Sequence, residues 1–584
     1  MQEPDGGHIV AERLHQRGVR HIFTLCGGHI SPILVGAENK GMQVVDVRDE
    51  VTAAFAADAL ARLTGVPGVA AVTAGPGVTN TITAVKNAQM AQSPLLILGG
   101  ATPTILMGRG SLQDIDQITL MKPLVKWATS VRTLNSLGPT IDKALDIATS
   151  GTPGPVFVEC PVDVLYPEHM VRDMYTKEAG LENATGFGAK ALGLYMKAHL
   201  ARQFNAPHVS IDLPKPSVEN VASLRHDSQL DKTKRLLQNA EKPVLIVGSQ
   251  AVVNYSEDSA VALAHAIEAL NVPTFLGGMA RGLLGRFSDI QFRHKRSSAL
   301  KKADLVLIAG FPFDFRLKYG RGFHPKADIV SINLSASDLT NNKLPDVPVL
   351  GHPGDFIRDL AARNATSGPI SDWFADCKAR EDARDEDIAQ RGETDQELVN
   401  PVAFFQKMEE ALDDDSVLIV DGGDFVATGA YILRPRGPLR WLDPGVFGTL
   451  GVGGGFALGA ALARPSAEVW LIYGDGSSAY SLAEFDTCVR HGLAPIAVIG
   501  TDASWAQIAR EQVEMLGSDC ATTLLRTEYH KVAEGYGGKG ILVTSLDEVD
   551  DALAEAKKLS AEGKPVCLNI HLADSDFRKG SISM

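Results

Sequence analysis

The chain has 584 residues, 45% of them hydrophobic and 22% charged, with 56 Lys+Arg against 70 Asp+Glu for a formal charge of −14. That length exceeds one core and asks for three or four domains, and an acidic chain with no concentrated Lys/Arg run argues against nucleic acid as a main partner. Six scattered cysteines without a CxxC pair fit reduced thiols in a cytosolic compartment, not a disulfide framework or a zinc site.

The first residues, MQEPDGGHIV, carry no basic segment followed by an apolar one, and no apolar run reaches the roughly 18 residues of a membrane span. A cytoplasmic protein without a membrane span is expected. Short apolar strands, Gly-containing turns and amphipathic helices then alternate, the pattern of parallel α/β sheets. The strands fall into three blocks. VVDV (44–47), GVAAVTAG (68–75), PLLILGG (94–100) and PVFVECP (155–161) form the first. PVLIVGS (243–249), ADLVLIAG (303–310) and ADIVSIN (327–333) form the second, and SVLIVDGG (416–423), EVWLIYGDG (468–476), APIAVIG (494–500) and KPVCLNIHL (564–572) the third. Polar, proline-bearing sequence separates the first two blocks, and a charged run separates the last two. The resulting division is a domain at 1–178, a linker at 179–228, a central domain at 229–370, a linker at 371–398 and a third domain at 399–584 with a mobile tail.

Two motifs carry chemistry. In the first block a strand runs into VRDE and places Glu50 at the start of an Ala-rich helix; a GPG turn and Asn80 follow in VTAGPGVTNTITAV. In the third block, EVWLIY runs straight into Gly474-Asp475-Gly476, then Ser477 and Ser478. A further strand, IAVIG, ends in Thr501-Asp502-Ala503-Ser504. Two neighbouring parallel strands present such ends on one sheet edge. Asp475 and Asp502 there offer hard oxygens to Mg²⁺, with a backbone carbonyl near Ser504 as a third ligand, while the glycines let the backbone approach a diphosphate.

This layout resembles that of the thiamine-diphosphate enzymes, whose signature is GDG followed at this spacing by two asparagines. Thr501-Asp502 replaces the Asn pair. Aspartate serves at the ligating position, but the first Asn of the family ties loops together by hydrogen bonds, and Thr501 departs from it. The resemblance extends over nearly the whole chain and is closest to the acetolactate-synthase-like branch grouped with the 2-hydroxyacyl-CoA lyases, through FTLCGGHISPIL (23–34), TAGPGVTNTITAVKNAQMAQSP (73–94), FLGGMARGLLGR (275–286) and PRGPLRWLDPGVFGTLGVGGGFALG (435–459).

The resemblance implies a three-domain fold, each domain a parallel sheet flanked by helices: a pyrimidine-binding domain, a central domain and a diphosphate/Mg-binding domain. It implies that Glu50 hydrogen-bonds the cofactor's aminopyrimidine, with Gly28, Thr73, Pro76 and Asn80 around it. Leu450 would support the bent cofactor, with Gly448 and Thr449 beside it. Gly423, Asp424 and Phe425 would complete a diphosphate pocket made by Gly474, Asp475, Gly476, Ser477, Ser478, Asp502, Ser504 and Trp505. His29 and Gln113 would act on the substrate. The implied reaction cleaves a 2-hydroxyacyl-CoA to an aldehyde or ketone and formyl-CoA. Related alternatives are acetolactate synthesis from pyruvate and decarboxylation of oxalyl-CoA; a non-catalytic scaffold is the alternative outside enzymes. ADP or CoA is left open on the central domain, where Arg281, Arg286, Lys301, Lys302, Arg316 and Arg321 are the candidate cations; FAD is not expected. The family also implies at least a homodimer, commonly a tetramer, in which Glu50 of one subunit faces the GDG of another.

Overall fold

The computed structural model describes residues 5–178, 186–204 and 226–580. Among these, 17 strands pair in parallel to form three sheets. The first contains β1 (His21–Leu25), β2 (Gln43–Asp46), β3 (Gly68–Val72), β4 (Leu95–Ala101), β5 (Trp127–Ser130) and β6 (Val156–Pro161), in the order β2-β1-β3-β4-β6-β5. The second contains β7 (Pro243–Val247), β8 (Thr274–Leu276), β9 (Leu305–Ala309), β10 (Asp328–Asn333) and β11 (Val347–Leu350), in the order β11-β10-β9-β7-β8. The third contains β12 (Val417–Val420), β13 (Trp441–Leu442), β14 (Val469–Gly474), β15 (Ile496–Thr501), β16 (Lys539–Val543) and β17 (Val566–His571), in the order β13-β12-β14-β15-β17-β16.

The first and third sheets repeat one topology: second strand outermost, then first, third, fourth, sixth and fifth. Strand order reverses between β1 and β3, and again between β12 and β14. Such switch points open a crevice at the carboxyl ends of the strands, where ligands of open α/β sheets bind. The central strands are fully buried, as sheets covered by helices on both faces require.

The chain divides into two compact units: Met1–Ala61 with Val66–Glu219, and Arg62–Gly65 with Asn220–Met584. The second unit holds two sheets, and its seam shows why they cluster together. Arg293 donates to the carbonyls of Tyr431, Ile432 and Leu433 at 2.9, 3.3 and 2.8 Å, and Arg281 to that of Ala430 at 3.0 Å. Those oxygens close the helix Asp424–Ile432, so two cations sit where its dipole favours them.

The stretch read as a charged linker, 371–398, is mostly a helix, Ser371–Gly392. Its charges pair along the helix, Arg380 with Asp376 and Arg391 with Asp387, while Trp373 and Cys377 enter the core of the second sheet and Ile388 that of the third. The other linker, 179–228, lies partly outside the described residues, but within it Phe187–Phe204 is an 18-residue helix. The tail expected to be mobile is packed as far as it is described. Phe577 is buried edge-on against Tyr431, and Arg391 holds Asp576 at 3.0 Å.

Candidate functional site

The expected site residues form two groups, one in each unit. In the first unit they gather beyond the ends of β1, β2, β3 and β4. Glu50 opens the helix Glu50–Thr64, which begins there because the Asp49 carboxylate accepts from the Val51 N–H at 3.1 Å. Glu50 is 6% exposed; its Oε2 accepts from Asn80 Nδ2 at 3.0 Å, and its Oε1 turns toward Gly77, where an added Cβ would lie 3.4 Å away. A side chain on Gly77 would fill the space beside this carboxylate.

His29 follows β1, and its Nδ1 lies 3.2 Å from Thr73 Oγ1. Burial pushes the imidazole down, toward the neutral form. It rests on Gly100, where a Cβ would come within 2.5 Å of His29 Cβ. Pro76 sits in the GPG turn, and Gly75 there has φ +63°. A Cβ on Gly75 would fall 2.9 Å from the Gln113 carbonyl, so the turn and the loop bearing Gln113 meet backbone to backbone. Gln113 itself has φ +64°. Next to Gly28, whose added Cβ would meet nothing within 4 Å, the space is open.

A residue that sequence reasoning passed over holds this crevice together. Gln117, 2% exposed, accepts from the Gly75 N–H at 2.9 Å and donates to the Gly100 carbonyl and to Glu159 Oε1, both at 3.0 Å. Glu159 as a carboxylate only accepts, so it fixes which way the Gln117 amide points. The signal available was SLQDIDQ, which contains two glutamines: Gln113 is half-buried, whereas Gln117 is the buried one.

In the third sheet Asp421 ends β12 and turns inward, accepting from the N–H groups of Gly451 and Gly453 at 3.0 and 2.7 Å. Burial pushes it up to about 7. It braces the glycine-rich segment that carries Gly448, Thr449 and Leu450. The Leu450 side chain lies over Gly422, where a Cβ would sit 2.3 Å from its Cδ2. Gly423, at φ +121°, opens the helix that starts with Asp424. Phe425, expected beside the cofactor, sends its ring the other way, into the core against Phe404 and Phe405 at centroid distances of 5.8 and 4.4 Å.

Asp475 leaves β14 buried, its Oδ1 accepting from the Gly476 N–H and its Oδ2 from the Ala503 N–H, both at 2.8 Å. The Trp505 ring covers Gly476, where a Cβ would fall 2.5 Å from the indole. Ser477 and Ser478 close the turn by donating to the carbonyls of Gly474 and Asp475. Asp502 Oδ1 accepts from the Ser504 N–H at 3.0 Å, and the Ser504 hydroxyl and the Trp505 N–H both donate to the Thr522 carbonyl. Ala503 is held at φ +59°, the left-handed conformation that lets its N–H reach Asp475.

Burial pushes Asp475 up to about 6 and Asp502 to about 7, with the Asp475 charge second among the causes at Asp502 and Asp424 adding to it. Buried carboxylates that repel one another and accept from backbone N–H groups could hold a hard divalent cation. Thr501 takes up the tying role: its hydroxyl donates to Asn569 Oδ1 at 2.6 Å, and Asn569 Nδ2 reaches the Thr527 carbonyl at 3.0 Å. The Thr–Asn pair thus links β15 to β17 and to the backbone at Thr527.

Most central-domain cations have protein partners. Arg281 caps Ala430 and stacks 4.9 Å over Trp441; Arg286 faces Asp414; Lys302 pairs with Asp376; Arg316 forks onto Asp314. Lys301 and Arg321 stand exposed. His294, Glu381 and Asp385 come within metal-binding distance of one another. Glu381 is occupied by the N–H groups of Arg293 and His294, and Asp385 by Arg434, so this cluster is a closed ion-pair junction of the seam.

Comparison with known proteins finds the three domains in order. The family model for the thiamine pyrophosphate enzyme N-terminal TPP binding domain matches residues 4–120, that for the central domain 230–360, and that for the C-terminal TPP binding domain 421–570. A 2-hydroxyacyl-CoA lyase 2 of Danio rerio is 49% identical over 99% of this chain and 93% of its own. Its Homo sapiens counterpart is 46% identical over 99% and 92%. An acetolactate synthase large subunit of Mycobacterium tuberculosis is 32% identical over 97% and 96%. Among the described residues no helix is long and apolar enough to cross a membrane. With three domain matches in order and full-length relatives of this identity, the chain belongs to the thiamine pyrophosphate enzyme family.

Proposed function

We propose that the protein is a thiamine-diphosphate- and Mg²⁺-dependent 2-hydroxyacyl-CoA lyase, splitting a 2-hydroxyacyl-CoA into an aldehyde or ketone and formyl-CoA and joining them in reverse. The observation that carries this reading is the graded similarity: 46–49% identity to 2-hydroxyacyl-CoA lyases 2 against 32% to acetolactate synthase, each along nearly the whole chain.

When bound, thiamine diphosphate supplies a nucleophilic carbon and an electron sink for the bond that breaks. The chain's own residues bind, orient and exchange protons. Asn80 occupies Glu50 Oε2 and leaves Oε1, beside Gly77, to hold or release a proton at the aminopyrimidine ring nitrogen. His29, kept neutral by burial and steadied by Thr73, takes or returns the proton of the substrate hydroxyl. Gln113 supplies a polar contact to the same oxygen, on a loop stapled by Gln117. Asp475, Asp502 and the Ser504 carbonyl hold Mg²⁺. Gly423, Asp424, Gly474, Gly476, Ser477 and Ser478 would line the diphosphate, Trp505 shields Gly476, and Leu450 with Gly448 and Thr449 would support the cofactor. Gly28, Thr73 and Pro76 line the pyrimidine side. The working form is at least a homodimer, and the six free cysteines suit a reducing cytoplasmic setting.

The test is a pair of assays run side by side with thiamine diphosphate and Mg²⁺: formyl-CoA release from a 2-hydroxyacyl-CoA, and acetolactate formation from pyruvate. The lyase reading expects the first to dominate. Acetolactate formation without formyl-CoA release would replace it with the synthase.

A further inference from the structure

The helix Phe187–Phe204 differs in charge from the chain that carries it. The whole chain has a formal charge of −14, yet these 18 residues contain no Asp or Glu and three cations, Lys190, Lys197 and Arg202. One side of the helix is docked. Met196, Leu200 and Phe204, spaced i, i+4, i+8, pack with Val171 and Tyr175 of the preceding helix, Glu168–Glu178. His199 Nε2 lies 2.9 Å from Thr104 Oγ1, which donates to the buried Asp163 carboxylate at 2.6 Å.

Among the described residues the opposite side has no such partners. At 100° per residue, Phe187, Ala191, Leu194 and Ala198 fall in one stripe. Phe187 is 90% exposed, Leu194 71% and Tyr195 54%. By the same geometry Lys190 and Lys197 run along one margin of the stripe, and Tyr195 and Arg202 along the other. An apolar ridge bordered on both sides by long cationic side chains and an aromatic is the arrangement that lies flat in a lipid headgroup layer: the ridge enters the acyl boundary while the cations snorkel to the phosphates. The preceding helix adds exposed Met170 and Met174.

We propose that the outward face of the helix Phe187–Phe204 is an interfacial contact that seats this protein on an anionic lipid surface. Charge complementarity selects lipid over a second copy of the chain. Two such faces set against each other would bring cationic margins together on both sides, whereas an anionic bilayer meets both margins with opposite charge. The proposal stands on this helix alone and is independent of the reaction assigned above.

Vesicle co-sedimentation of the full chain tests it, with phosphatidylcholine vesicles compared with phosphatidylcholine containing about 30% phosphatidylserine. The expected result is co-sedimentation with the anionic vesicles only, weakened at about 0.5 M salt. The double variant Phe187→Asp/Leu194→Asp should lose it, and Lys190→Glu/Lys197→Glu should reduce it about tenfold or more, both with unchanged thermal midpoint and unchanged turnover on soluble substrate. Wild-type protein left in the supernatant with both vesicles would overturn the proposal. So would a smaller particle for the Asp variant by light scattering together with undiminished lipid binding, which would assign the face to a second copy.

Discussion

The first and third sheets share one strand order, but their switch-point crevices are furnished in opposite ways. In the first sheet's crevice the polar side chains are matched to one another: Glu50 with Asn80, His29 with Thr73, Gln117 with Glu159. At the ends of β14 and β15 the Asp475 and Asp502 carboxylates converge and accept from backbone N–H groups, and burial drives both upward. The first arrangement suits an uncharged ring that must be oriented and protonated at one atom. The second gathers negative charge that a divalent cation would offset. One topology therefore fixes where a ligand goes, while the residues on the strand ends decide what it can be.

Substitutions in the two crevices should fail differently. The largest effect is expected for Glu50→Gln, which keeps the shape and the Asn80 contact but removes the exchangeable carboxyl. Turnover should fall by about 10³-fold with thiamine diphosphate affinity nearly unchanged, as read by single-turnover kinetics and calorimetric titration. Next, Asp475→Ala should weaken Mg²⁺ and thiamine diphosphate together by about 10- to 100-fold, and added Mg²⁺ should recover part of the loss. Equal binding of both by this variant would remove Asp475 from the metal site.

A smaller loss is expected for Gln117→Leu, which frees the Gly75 turn and the Gln113 loop. kcat should drop about 10- to 100-fold with little change in cofactor affinity. Because Glu159 orients the same amide, Glu159→Gln combined with Gln117→Leu should cost little beyond Gln117→Leu alone; additive losses would show that the two act separately. The smallest effect is for Thr501→Val, which leaves Asn569 without its buried donor. Chemical denaturation should report about 1–3 kcal/mol of lost stability.

The interior strands were legible because burial on both faces makes them continuous apolar runs, as in VLIV of β12 and IAVIGT of β15. The edges were not. β11, VPVL, alternates buried and exposed residues, β16, KGILV, is mostly uncovered, and β13 is only two residues long. β1 is interior but opens on His21, which breaks its apolar run. The helix Ser371–Gly392 was hidden by its charges, since pairing along the helix leaves a composition that looks like a solvated connection.

In the candidate site, Glu50, Asp475 and Asp502 stand at the ends of recognisable strands, so their place in the crevices could be expected from sequence. The groups that turn into the fold could not. Asp421 and Phe425 lie in the DGGDF run, yet one braces backbone N–H groups and the other fills the core, and Asn569 completes the Thr501 tie from a strand far along the chain. Such roles depend on side-chain direction and on long-range pairing, which local pattern does not encode.

The most direct measurement is a titration of thiamine diphosphate, with and without Mg²⁺, into wild type, Glu50→Gln and Asp475→Ala, paired with formyl-CoA release from a 2-hydroxyacyl-CoA by the same samples. The account predicts that Glu50→Gln binds the cofactor like wild type and does not turn over, while Asp475→Ala loses Mg²⁺-dependent binding. Cofactor binding lost in Glu50→Gln and kept in Asp475→Ala, with formyl-CoA still released by Glu50→Gln, would contradict it.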